Sequence, residues 1–113
     1  MRLAWATDIH LNFLTTMARR RFLESVKEQA DALVVTGDIA ESDSLGTTLM
    51  VMDVLVQRPV SFVLGNHDFY RGSVAGTRSA VAEMMSSAKN LVYLSQAGVV
   101  ELTPSTALVG HDG

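Results

Sequence analysis

Three short apolar runs, each ending in a cluster of polar residues and each separated from the next by one helix-sized stretch, constrain this chain most. Leu3 to Thr7 leads into Asp8, Ala32 to Thr36 into Gly37-Asp38, and Val60 to Leu64 into Gly65-Asn66-His67-Asp68. Apolar runs of this length predict buried strands. Strands separated by single helices predict parallel βαβ units with right-handed crossovers. Parallel neighbours put their carboxyl ends on one edge of the sheet. Asp8, Asp38 and Asn66 each follow such an end, so they are expected to converge in the crevice where open α/β sheets place ligands.

The intervening stretches carry helical periodicity. Thr15 or Thr16 can cap a helix starting near Met17, with Phe22, Leu23, Val26 and Ala30 on one stripe and the Arg19-Arg20-Arg21 run on the wet face. Ser42, Asp43 or Ser44 can cap a second, with Leu45, Leu49, Met52 and Val56 facing inward and Pro59 stopping it. A third is predicted over 74–88, with Val81, Met84, Met85 and Ala88 inward. The rhythm then changes to short strands at 91–94, 99–102 and 106–109, with turns between them. Trp5 and the methionines read as core.

The 113 residues allow one domain or part of one, and no internal repeat or linker divides them. A net charge of −3 argues against coating nucleic acid by bulk charge, which leaves nucleic acid only as a substrate. The chain has no cysteine, so any metal must be held by Asp, Glu, His, Asn or backbone oxygen. The first apolar run is too short for a signal-peptide core or a membrane span. A cytoplasmic protein with no membrane partner is the expectation.

The polar clusters have chemistry of their own. In extended backbone Asp8 and His10 point to the same face, so one carboxylate and one imidazole can grip a single ion. Asp38 has two oxygens and can bridge two ions about 3.5–4 Å apart. Asn66 offers a neutral carbonyl oxygen, His67 can move a proton near neutral pH, and Asp68 can bond the imidazole and set its tautomer. Each cluster alone could be a strand-end turn. Gly-Asn-His-Asp is the most specific, arising by chance on the order of once in a thousand chains of this length. Three such clusters in order, each at a strand end, point to a metal site.

At these residues the chain resembles the calcineurin-like metallophosphoesterases, which carry Asp-x-His, Gly-Asp and Gly-Asn-His-Asp/Glu in this order. The resemblance runs from about Leu3 to Tyr70 and loosely beyond. It implies an α/β fold: the N-terminal part of a β-sandwich flanked by helices, incomplete in this chain. Residues 1–113 would form a single partial phosphoesterase domain. It also implies two divalent ions (Mn, Fe, Zn, Ni or Co), with Asp8 and His10 holding the first, Asp38 bridging, and Asn66 holding the second and touching a phosphate oxygen. His67 would stabilise the transition state or protonate the leaving oxygen, and Asp68 would orient it. The activity implied is hydrolysis of phosphate mono- or diesters.

The departures matter equally. Gly110-His111-Asp112-Gly113 only partly echoes the family's later Gly-His-x-His, so His111 stands between a metal ligand and a strand-end turn. His10, His67 and His111 are the only histidines, which leaves the second metal short of ligands. The chain is therefore expected to bind metal weakly, to turn over slowly or not at all, and to self-associate through uncovered sheet. Arg71 could meet a substrate phosphate or be a solvated loop arginine. Phe69 and Tyr70 could wall a nucleoside pocket, but are expected to pack beneath the loop. The competing class is a non-catalytic scaffold or binding module that keeps the fold. A dinucleotide-binding domain is disfavoured, because no Gly-rich turn follows the first strand.

Overall fold

Apolar strands joined by single helices have settled into a parallel sheet with the strands in sequence order. The computed structural model describes residues 1–113. In chain order it contains β1 (Leu3–Ala6), a 3-10 turn (Leu11–Phe13), α1 (Thr16–Gln29), β2 (Ala32–Thr36), α2 (Ser42–Val56), β3 (Val60–Val63) and a second 3-10 turn (Asn66–Phe69). α3 (Val74–Met84), β4 (Leu91–Tyr93), a short α4 (Leu94–Ala97), β5 (Val100–Thr103) and β6 (Thr106–Leu108) follow. The sheet order is β1-β2-β3-β4, all parallel, with Val34 paired to Trp5 on one side and to Ser61 on the other. β5 and β6 form a separate antiparallel hairpin. The structure is thus mixed α/β as expected. The second sheet holds two strands only, which is less than the sandwich implied by the resemblance.

Sequential parallel strands with crossovers of one hand put their helices on one face. The core confirms this placement. Leu33 and Val35 of β2, Val60 and Phe62 of β3, and Leu91 and Tyr93 of β4 cluster with Leu23 and Val26 of α1, Leu45, Leu49, Met52 and Val56 of α2, and Val81 of α3. The opposite face explains a correction. β1 is an edge strand whose Ala4 and Ala6 pack on the core while Leu3 and Trp5 turn outward. Trp5, expected in the core, is 69% exposed. Its indole Nε1 donates to Thr36 Oγ1 at 3.0 Å across the open face. Met17 and Met50 are likewise exposed, while Met52 is fully buried.

Local chemistry sets the helix ends. Thr15 is the α1 cap, its Oγ1 accepting from Ala18 N at 3.1 Å. Replacing Thr15 with Ala is expected to cost about 1 kcal/mol; an unchanged urea midpoint would contradict the cap. α2 is capped one residue before the predicted caps, by Glu41, whose N–H donates to Ser44 Oγ. It ends at Gln57 in the left-handed region, before Pro59 is reached. α3 stops at Met84, short of the predicted Ala88. No helix is long and apolar enough to cross a membrane.

Candidate metal centre

The loops after β1, β2 and β3 are laced together on one edge of the sheet. The first runs along the second: Asp8 N donates to Gly37 O at 3.1 Å, His10 N to Asp38 O at 3.0 Å, and Leu11 N to Ile39 O at 2.8 Å. The second and third loops exchange aspartate caps. Asp38 Oδ1 accepts from His67 N at 3.0 Å. Asp68 Oδ1 accepts from Ile39 N and Ala40 N, both at 2.8 Å. Glycine permits this approach. A Cβ on Gly37, whose φ is +101°, would sit 2.8 Å from Gly65 N, and one on Gly65 would collide with Asp38 Oδ1.

Asp8, His10 and Asp38 themselves adopt left-handed backbone, with φ of 54°, 42° and 55°. Asp and His enter this region more readily than most residues, at a strain on the order of 1–3 kcal/mol each. The lacing between loops holds them there and aims the side chains of His10 and Asp38 at one point. His10, Asp38 and His67 each present a ligand atom, all within 4.8 Å of one another. The His67 ring Nδ1 lies 3.0 Å from Asp38 Oδ2. Donors about 2.1 Å from a shared ion can be at most about 4.2 Å apart. Small side-chain adjustments therefore bring the three into one coordination sphere, and imidazole plus carboxylate suits a borderline divalent ion.

Asp38 is the electrostatic centre. Burial works to raise its pKa, but hydrogen bonds from the His67 backbone and ring and the adjoining Asp8 carboxyl outweigh this, leaving it lowered. Asp8 touches this point only through that contact and lies outside the His10–Asp38–His67 group. Asp8 is otherwise exposed, its Oδ2 accepting from Thr7 Oγ1 at 2.7 Å. Asn66 begins the second 3-10 turn, is exposed, and points its Nδ2 at the Tyr70 hydroxyl 3.5 Å away.

One expected contact is absent, and two residues with open roles find their places. Asp68 makes no hydrogen bond to His67. It is fully buried, and its carboxylate is taken up by the Ile39, Ala40 and Gly65 amides, the last at 2.9 Å. Burial pushes its pKa up against these donors. It orients the loops, and His67 only through them. Arg71 is held by Glu41, with Nε 2.7 Å from Oε2. His111 is exposed, outside the His10–Asp38–His67 group, with its Nδ1 on the Asp112 carbonyl oxygen.

Asp112, part of the segment that could be a strand-end turn, is a second buried anchor. Its Oδ1 accepts from Leu64 N at 2.8 Å, one residue before the Gly65 amide that Asp68 holds. Its Oδ2 meets Arg78 Nε at 3.0 Å and the Tyr93 hydroxyl. Leu64 lies 48 residues away, so no local pattern could reveal this. Burial, then the Asp112 hydrogen bond, push Tyr93 from 10.0 up to about 12. The folded chain keeps that proton between pH 10 and about 12, where the unfolded chain has lost it. The associated stability is full below pH 10 and disappears as pH rises through about 12. Urea unfolding across this window should fall more steeply for the parent than for Tyr93→Phe. Parallel curves would contradict the assignment.

A family model described as calcineurin-like phosphoesterase matches residues 1–113. No curated protein and no solved structure matches the chain.

Proposed function

Because the chain belongs to the calcineurin-like phosphoesterase family, we propose that it hydrolyses phosphate esters at the rim where His10, Asp38 and His67 meet. The observation carrying this reading is the convergence of those three ligand atoms, from three separate loops, within 4.8 Å. A scaffold would have no physical reason to gather a carboxylate and two imidazoles, His10 and Asp38 on strained backbone.

In this reading Asp8 and His10 hold one divalent ion, Asp38 is shared, and Asn66 serves a second. When bound, the ions acidify water for attack on phosphorus and offset charge on the phosphoryl oxygens. His67 is set by Asp38, which grips both its backbone N–H and its ring. It stands ready to stabilise charge on the phosphoryl group or pass a proton to the leaving oxygen. Asp68 and Asp112 keep the third loop in register by holding the successive amides of Gly65 and Leu64. Arg71, fastened to Glu41, is a reserve contact for phosphate at the loop margin.

Calorimetric titration with Mn2+ tests the reading. Specific binding is expected, with the Asp8–His10–Asp38 sphere filling first and the Asn66 side more weakly. Slow hydrolysis of 4-nitrophenyl phosphate should stop on chelation and resume when the ion returns. A chain that binds no divalent ion specifically is a scaffold, and the enzyme reading fails.

A further inference from the structure

Four rings stand in a row across the candidate centre. Phe13 stacks on His10 with centroids 5.6 Å apart and planes 24° from parallel. His10 meets His67 edge-on at 5.0 Å, and Tyr70 lies over His67 at 4.5 Å. The two outer rings are in the open: Phe13 is 71% exposed and Tyr70 48%. Tyr70 therefore does not pack beneath its loop. Phe69 is the residue that packs against the core, with Arg78 over its ring.

Single exposed apolar residues are ordinary on a protein surface. These two differ because each flanks one imidazole of the same cluster, and because both are held in place. Phe13 closes a 3-10 turn headed by Leu11, which is 1% exposed, and Phe13 N donates to His10 O at 3.0 Å. Tyr70 N donates to His67 O at 3.0 Å, and its carbonyl accepts from Ser42 N at 2.9 Å. The Tyr70 hydroxyl, 3.5 Å from Asn66 Nδ2, adds a polar handle at the other end. Preplaced rings beside a polar centre suit a ligand that is charged at one end and flat at the other.

We infer that Phe13 and Tyr70 offer two stacking faces, one at each end of the centre, and that a planar aromatic group carried by the phosphoester, a nucleobase or an aryl ring, binds against one of them. The inference rests on the phosphoesterase reading for the phosphate end, and on the two exposed rings for the other. Stacking on such rings tolerates many planar groups, because each has a π face to offer. An alkyl phosphate gains nothing from them.

The test is calorimetric binding of adenosine 5′-monophosphate, phenyl phosphate, methyl phosphate and adenosine to the full chain with Mn2+, and to Phe13→Leu and Tyr70→Leu. Leucine keeps apolar bulk without the π face, and both sites are exposed, so the variants should melt with the parent. The aromatic phosphates are expected to bind about tenfold tighter than methyl phosphate, and the variant at the ring the ligand uses should lose most of that preference. Tighter adenosine monophosphate marks a nucleobase ligand, and tighter phenyl phosphate an aryl one. Equal affinities, or a preference that survives both variants, overturn the inference. Adenosine bound as tightly as its monophosphate, and lost in one of the variants, supports the stacking face but sinks the phosphoesterase reading. Phosphate-dependent binding with no aromatic preference does the reverse.

Discussion

Asp38→Asn should weaken divalent binding by at least about a hundredfold while leaving the fold nearly intact. Loss of an outer partner of a metal ligand alone typically costs about 10–100-fold in affinity, and Asp38 is placed to be the ligand itself. Asparagine has the same shape and enters the left-handed region as readily as aspartate, so the φ of 55° is kept. One acceptor oxygen survives to hold His67 N, now at 3.0 Å from Oδ1. What disappears is the carboxylate charge that attracts a cation, whose ionised form the hydrogen bonds to His67 and Asp8 favour. Mn2+ calorimetry checks affinity, and urea unfolding checks the fold. Undiminished binding would remove Asp38 from the centre.

Asp68→Ala should have the largest effect on stability. It leaves the Ile39, Ala40 and Gly65 amides without the carboxylate that now accepts from all of them. Each buried amide left unpaired costs about 1–3 kcal/mol. The total is several kcal/mol, against a stability of about 5–15 kcal/mol for an ordinary domain. Asp68→Asn should lose less, since one oxygen can still serve Ile39 and Ala40 while its NH2 group opposes the Gly65 amide. Metal affinity should fall in step, because these amides join the second loop to the third. A loss below about 1 kcal/mol in the alanine variant would show that water satisfies the amides, and the joining role would fail.

The contrast between these two aspartates shows where sequence reading ends. Gly37-Asp38 and Gly65-Asn66-His67-Asp68 both marked the candidate rim, and both carboxylates do lie between the same loops. Their division of labour was not legible. Asp38 turns toward His10 and His67, whereas Asp68, next to His67 in the chain, turns away into the backbone of another loop. Chain proximity made Asp68 look like the partner of His67. Choosing between an imidazole and a set of amides takes knowledge of which loop lies within reach. Arg71 and Glu41, 30 residues apart, present the same difficulty.

Trp5 carries the corresponding lesson for the fold. Its strand was legible, because an apolar run ending in an acid has few other readings. Its exposure was not, because edge and centre strands have similar local composition and differ only in what lies beside them. Phe13 and Tyr70 likewise had no periodic signature, and only the folding of their turns set them against His10 and His67.

By itself, the sequence determined the order of strands and helices, the apolar stripes and the edge on which the polar clusters must collect, since period and strand direction are local properties of a chain. Only the tertiary structure decided which carboxylate faces the metal position, which clasps backbone and which rings stand open beside it. Those choices depend on groups about 30 or more residues apart meeting within hydrogen-bond distance.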